Sequence, residues 1–281
     1  VKDYQKILFP YAYAVLGSAE DARDAIQDVL SNYVAIPRSH VENEKNYLIR
    51  GVINQAITHR NRRNKQVRED DVWLPEPVAT EEADTNINLR DIVSYSLLVI
   101  LERLNPKERA VFILKEGFGY SHEEIAEVLS DSVENSRKLL SRAKSKIDPA
   151  QQAAKPATKA VTHQELLDKY VHAVRSRDTH ALESLLADDI QYYADGGTLR
   201  VLRTFCEGVH DVAAHLQVAF DKYQTKMTTR FAILNHQPAL VYYLDDRLAM
   251  CTIFEIVNGK IIRLDNVIGP EKLGAGLTVY E

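Results

Sequence analysis

The stretch SHEEIAEVLSDSVENSRKLLSRAKSKI, residues 121–147, leaves its part of the chain few ways to fold. Ser121 followed by Glu124 is a capping-box start for a short helix, Ser130-Asp131-Ser132 is a three-residue turn, and a longer basic helix begins at Val133. Short helix, tight turn and longer basic helix make the helix-turn-helix arrangement. Ile125, Ala126 and Leu129 are expected to pack on Val133, Leu140, Ala143 and Ile147. That leaves Glu134, Asn135, Arg137, Lys138, Ser141 and Arg142 facing out as candidates for a DNA major groove. Arg137 and Arg142 are the best chemical match to guanine or phosphate, although two helices that merely pack show the same periodicity. Upstream, Asn105, Pro106 and Glu108 supply the N-cap, first-turn proline and capping acid of another helix, which Gly117 and Gly119 end.

Residues 1–68 read as helical throughout. After Ser18 and Asp21 comes an apolar stripe of Ala22, Ala25, Ile26, Val29, Leu30, Tyr33 and Val34, with Glu20, Asp21, Arg23, Asp24, Gln27 and Asp28 on the opposite face. The next helix is expected to bury Tyr47, Leu48, Val52, Ile53 and Ile57, and its end is strongly basic: Arg60, Arg62, Arg63, Lys65 and Arg68. A second basic cluster holds Arg137, Lys138, Arg142, Lys144 and Lys146. The net charge of −5 argues against a nucleic-acid partner on average, but either cluster could engage phosphates and release counterions. A solvated helix face, or cations suiting the helix dipole, is the competing explanation.

Between the clusters, Glu69, Asp70, Asp71, Glu76, Glu81, Glu82, Asp84 and Asp91 face a single base, Arg90. This long acidic loop nevertheless carries the chain's one tryptophan, in VWLPEP, and an exposed indole forgoes a few kcal/mol of burial. Helix resumes near Asp91. Residues 148–162 form a Pro/Ala-rich tether. Beyond it Thr162 and Glu165 cap a helix, further helices are expected over His180–Leu186 and about Glu207–Tyr223, and then strands dominate, with Asn258-Gly259 as a hairpin turn. Helices followed by a strand meander indicate an α+β domain.

At 281 residues the chain has room for two or three domains. No apolar run approaches the ~20 residues of a membrane span and no basic-then-apolar leader opens the sequence, so a cytoplasmic location is expected; the Val1 start points to trimming. Cys206 and Cys251 have no metal-ligand or disulfide spacing, and no metal or cofactor is expected. Asp189, Tyr192, Tyr193, Asp195, His236, Tyr242, Tyr243 and Asp265 could line a cavity, yet no spacing marks a catalytic pair; the chain is read as not an enzyme.

The first 147 residues resemble the extracytoplasmic-function (ECF) sigma factors. LFPYAYAVLGSAEDARDAIQDVL is similar to their region two, YLIRGVINQAITHRNRR to their promoter-melting and minus-ten-reading helix, and LNPKERAVFILKEGFGYSHEEIAEVLSDSVENSRKLLSRAKSKI to region four. Trp73-Leu74-Pro75-Glu76-Pro77, Asp195-Gly196-Gly197 and Gly269-Pro270-Glu271-Lys272-Leu273 further resemble motifs of the ECF41 type, whose C-terminal extension is a SnoaL-like, NTF2-fold domain. Thr198 and Leu199 depart from the usual DGGGK, and Gly269 and Glu271 from NPDKL, with Arg200 a candidate for the missing cation. The resemblance implies two all-α sigma domains (residues 1–68 and 91–147), an acidic linker (69–90), the tether, and an α+β cone (163–281).

It also implies core RNA polymerase and promoter DNA as partners, with no membrane and no separate anti-sigma factor required. Asp21, Asp24, Gln27 and Asp28 would bind polymerase, Asn54, His59, Arg60, Arg62 and Arg63 the melted minus-ten strand, and the Val133 helix the minus-thirty-five duplex. Trp73 and its neighbours are expected to dock near Asp195–Gly197, with Pro270, Lys272 and Leu273 in the same regulatory set. A small ligand in the C-terminal domain, an enzymatic extension, and a polymerase-independent helix-turn-helix regulator are the alternatives.

Overall fold

The computed structural model describes residues 2–35, 41, 43–64, 73–80, 93–147, 160–197 and 204–277. Lys65, Arg68, Arg90, Thr198, Leu199, Arg200 and all the linker acids named above except Glu76 lie outside the described residues. The chain divides into two compact units, one holding the helices up to residue 147, the other holding residues 73–80 together with everything from residue 160 onward.

The first unit is all helical: α1 (Lys2–Leu16), α2 (Ala19–Val34), α3 (Glu44–Asn64), α4 (Tyr95–Leu101), α5 (Pro106–Phe112), α6 (His122–Leu129) and α7 (Val133–Lys146). Side-chain caps set the starts. Ser18 accepts from the Asp21 N–H and Ser94 from the Leu97 N–H, while Asn105/Glu108 and Ser121/Glu124 both close reciprocal capping boxes. α5 runs on as a π turn, Ile113–Gly117, before Gly119 reverses the chain at φ 72°. α2 and α3 approach closely at Gly51, where an added Cβ would sit 2.9 Å from Val29 Cγ1. Gly51→Val is therefore expected to force the helices apart and destabilise this unit by about 1–3 kcal/mol in urea unfolding.

Two apolar assignments need correction. Tyr47 is 39% exposed and Val34 78% exposed, while Ile49 and Ala56 are buried in α3.

The second unit is α+β. α8 (Ala160–Ser176) and α9 (Thr179–Leu185) precede β1 (Leu186–Asp195) and β2 (Thr204–Glu207). Then come α10 (Val209–Ala219) with a π turn at Phe220–Gln224, β3 (Thr228–Leu234), β4 (Gln237–Leu244), β5 (Arg247–Val257), β6 (Lys260–Ile268) and α11 (Pro270–Leu277). α8 starts ahead of Thr162, so the Thr162/Glu165 pair does not mark its N-terminus. The sheet is six-stranded in the order β2-β1-β6-β5-β4-β3, with β1–β6 parallel and every other pair antiparallel.

Each hairpin from β3 to β6 turns on two residues with positive φ: Asn235-His236, Asp245-Asp246 and Asn258-Gly259. That is the primed-turn geometry matching strand twist, and Asn, Asp and Gly tolerate it best. Leu167, Tyr170, Leu186, Ile190, Tyr192, Leu216, Phe254 and Leu264 are among the residues that fill the core between helices and sheet. Helices leading into a mixed sheet form the α+β domain expected from the strand meander.

Candidate nucleic-acid interface and strap site

In the helix-turn-helix, Ser130 takes the left-handed conformation that ends α6 (φ 51°) and Ser132 caps α7 by accepting from Asn135 N–H. The buried face of α7 is Ser136, Leu139 and Ala143, followed by Ile147, rather than the expected set through Val133 and Leu140. The reason is local: His122 Nδ1 and Ser136 Oγ meet at 2.9 Å, which turns this side of α7 inward. Glu134, Arg137, Lys138, Ser141 and Arg142 are exposed. Asn135 is half-buried and donates to Asp131 at 2.8 Å; the Ser132 N–H and then this amide hold the Asp131 carboxyl below its usual range.

α3 presents a different picture. Arg62 is exposed and His59 half-buried, the latter 3.2 Å from Gln55. Asn54 donates to the Val128 carbonyl of α6 at 2.9 Å, and Arg50 to Ser130 Oγ at 2.7 Å. Arg60 corrects an expectation: it is 1% exposed and does not face outward. Gly17 breaks α1 at φ 69°, leaving the Ala14, Val15 and Leu16 carbonyls as the negative end of that helix. Arg60 donates to Val15 and Leu16 O at 3.3 and 3.2 Å, Arg63 to Leu16 O at 3.0 Å, and Arg109 of α5 to Ala14 O at 2.8 Å.

Glu102, just beyond α4, ties the arginines together. Arg60 donates to both its oxygens at 3.2 and 2.7 Å, Arg109 donates to Oε1, and Arg63 lies 3.9 Å from Oε2. Three guanidinium groups thus surround one carboxylate. Burial would raise Glu102, but Arg109, Arg60 and Arg63 together hold it below its usual range, whereas burial followed by repulsion from Arg60 brings Arg109 down to about 9. Buried Arg60 Nε and Arg109 Nη2 make no hydrogen bond among the described residues, where this latch between α3 and the α4–α5 segment is under-satisfied.

In the second unit, residues 73–80 form a strap along the sheet. Ala79 pairs with Leu234 at the β3 edge, Val78 and Asn235 exchange hydrogen bonds at 2.8 Å, and Thr80 N donates to Ile233 O at 3.0 Å. At the other end Leu74 N–H donates to Asp195 Oδ2 at 2.7 Å, and Lys272 Nζ donates to Leu74 O at 2.9 Å while pairing with the same carboxylate. Gly197 N–H donates to Asp195 Oδ1 at 2.8 Å, and Lys272 Nζ stands 4.5 Å above the Trp73 ring. Asp195 is 0% exposed and Lys272 7%, so the pair is a buried fastener.

Residues 94–147 match the Sigma-70, region 4 family. The ECF RNA polymerase sigma factor SigJ of Mycobacterium tuberculosis H37Rv is 29% identical over 194 residues, covering 67% of this chain and 61% of that one. SigI of the same strain, named a probable ECF RNA polymerase sigma factor, is 24% identical over 277 residues, 96% and 92% of the two chains. The chain is thus similar in sequence to ECF sigma factors along nearly its whole length. The crystal structure of M. tuberculosis SigJ shares the fold of this chain, with a TM-score of 0.75 over 98% of both chains at 23% identity.

In the helical unit, α2 displays Asp24, Gln27 and Asp28 on its exposed face. Asp21 is half-buried and 3.7 Å from Arg63, and Asp28 accepts from Gln55 at 3.0 Å. Leu74, Pro75, Glu76, Pro77, Gly196 and Leu273 are buried, and Pro270 begins α11. Glu102 and Arg109 escaped the sequence reading. The signal was the helix end at Gly17, whose carbonyls call for cations. Among the described residues no helix is long and apolar enough to cross a membrane.

Proposed function

We propose that this sigma factor directs core RNA polymerase to specific promoters and initiates transcription there, and that the strap and the C-terminal domain regulate it in cis. The observation that carries the reading is α7, which holds Arg137, Lys138, Ser141 and Arg142 exposed on a capped helix-turn-helix within the region 4 match. These side chains, with Glu134 and Asn135, enter the minus-thirty-five groove. Asp21, Asp24, Gln27 and Asp28 meet polymerase. Asn54, His59, Arg62 and Arg63 track the minus-ten strand, and Arg60 joins them only when the latch opens. The work is cytoplasmic and needs no separate anti-sigma factor.

Chain length supports regulation in cis. Between Asn64 and Tyr95, an unfastened linker could extend roughly 100 Å, but fastening residues 73–80 leaves stretches that reach at most ~30 Å and ~50 Å. The strap therefore ties each DNA-reading module to the C-terminal domain by its own short linker, without shortening their total reach. The subgroup resemblance of WLPEP, Asp195-Gly196-Gly197 and the Pro270–Leu273 segment favours the same role.

Run-off transcription with core polymerase tests the reading: the full chain yields promoter-specific transcripts, and Arg137→Ala/Arg142→Ala abolishes most of them. If both arginines contact phosphate, the slope of log affinity against log salt for the polymerase–promoter complex shrinks by about 2. Tight duplex binding by the chain without polymerase, and no transcription with it, would instead identify a free-standing helix-turn-helix regulator.

A further inference from the structure

β1, β5 and β6 on one side and α10 with its π turn on the other enclose a cavity of about 400 Å³, within the range of small-molecule sites. Met227, Met250 and Ile268 supply much of an apolar lining; besides Lys222 and Tyr223 its polar side chains are Tyr192, Thr204, His215, Gln224 and Asn266, of which Tyr192 and Asn266 are buried. The mouth is apolar too, since Val218 and Tyr223, which also line it, are 50% and 56% exposed. A π turn at Phe220–Gln224 shapes the rim, a distortion often found at functional sites.

The polar groups form a directed chain. Thr252 stands opposite Asn266 across β5 and β6, and its hydroxyl donates to the Asn266 carbonyl oxygen, which fixes the amide. Asn266 Nδ2 then donates to the Tyr192 hydroxyl at 2.7 Å. Having accepted, Tyr192 still has its own proton to give, and no acceptor among the described residues takes it. Burial raises the Tyr192 pKa, so the phenol stays protonated, and burial lowers that of His215, whose ring centre lies 4.7 Å away. Among the described residues the only cation in the lining, Lys222, is exposed. A buried anion would lack a counterion, whereas a neutral acceptor oxygen would complete the chain.

We infer that this cavity is a binding site for a compact, uncharged, largely apolar carbonyl compound, held by a hydrogen bond from the Tyr192 hydroxyl to its carbonyl oxygen. The site also bears on the strap. Tyr192 is three residues from Asp195 on β1, and Ile268 ends β6 four residues before Lys272 on α11, so one partner of the fastener lies on a lining strand and the other on the helix that follows one. That link rests on the cis-regulatory reading; the binding itself does not.

Two isosteric probes decide it in titrations of the full chain followed by naphthyl fluorescence: 2-acetylnaphthalene, and 2-isopropenylnaphthalene, in which a methylene replaces the carbonyl oxygen. The ketone is expected to bind about three- to tenfold more tightly. Tyr192→Phe should abolish that preference and keep the hydrocarbon's affinity, which reports an intact cavity. Thr252→Val, remote from the lining, should shrink the preference by freeing the Asn266 amide, and it decides the matter if Tyr192→Phe misfolds. Equal binding of the probes, no binding of either, or an undiminished preference in the substituted proteins would overturn the proposal. Ketone binding without any change in transcription would leave the site standing and remove its link to the strap.

Discussion

Replacing Asp195 by alanine is expected to unfasten the strap and destabilise the C-terminal unit by about 3–5 kcal/mol, the usual penalty for stranding one partner of a buried ion pair. Lys272, 7% exposed, loses the Asp195 carboxylate, and the Leu74 and Gly197 N–H groups lose that acceptor. Lys272→Met should do less harm, because Asp195 retains those two N–H donors. Asp195→Ala/Lys272→Met should cost less than the sum of the single changes, since the double variant buries no uncompensated charge. Urea unfolding of the four proteins gives the coupling, and hydrogen exchange over residues 73–80 shows whether the strap has come free. Strict additivity, or a strap still protected in Asp195→Ala, would mean that Asp195 and Lys272 are merely neighbours and that other contacts seat the strap. Trp73→Ala removes the cation–π contact with Lys272 together with the packing of the ring and strands no charge, so it is expected to be milder, about 1–2 kcal/mol.

How legible this was in the sequence depended on the kind of signal. Caps are local chemistry, so Asn105/Glu108 and Ser121/Glu124 fixed two helix starts from sequence alone. Registers were weaker. On α7 the large apolar Leu140 drew attention, but a small serine opposite a histidine lets Leu139 turn inward, and residue size does not reveal that. β2 was overlooked because four residues, TFCE, carry too little alternation to stand out. Asn235-His236 and Asp245-Asp246 were readable as primed turns by the same logic as Asn258-Gly259, yet without a glycine they passed as strand ends.

The site divides similarly. Leu74 and Lys272 are 198 residues apart, and only a family resemblance could bring them to attention together. For the cavity, strand alternation alone could not say which polar side chains face inward. Of the candidates, Tyr192 lines it, while Asp195 holds the strap and Asp265 grips Arg263 at 2.8–3.0 Å. A buried arginine looks like a surface arginine in sequence, which is why Arg60 was assigned to DNA while Glu102 and Arg109 went unnoticed.

Glu102 should therefore be the most consequential single position in the helical unit. Glu102→Gln keeps the shape but leaves Arg60 and Arg109, 1% and 0% exposed, to repel each other and Arg63 without the carboxylate that joined them, although the α1 carbonyls still accept from them. The expected loss is again about 3–5 kcal/mol, concentrated where α3 meets the α4–α5 segment. Hydrogen exchange should rise over residues 10–17 and 98–110 and stay unchanged over β5 and β6. Acid should reach the same state. Because the folded-state pKa of Glu102 is depressed below 4.5, its stabilisation is fully present above that value and fades only as pH falls through the lower folded one. The wild type should thus resist mild acid at this latch, and Glu102→Gln should be open already at neutral pH. The surplus positive charge gives the opening a direction: DNA phosphate can take over the guanidinium groups that a single carboxylate leaves under-compensated. Glu102→Gln should accordingly bind promoter DNA with polymerase more readily than the wild type, despite being less stable. If weakened packing between α3 and the α4–α5 segment came with unchanged or weaker promoter binding, the latch would be a structural brace and not a restraint on DNA recognition.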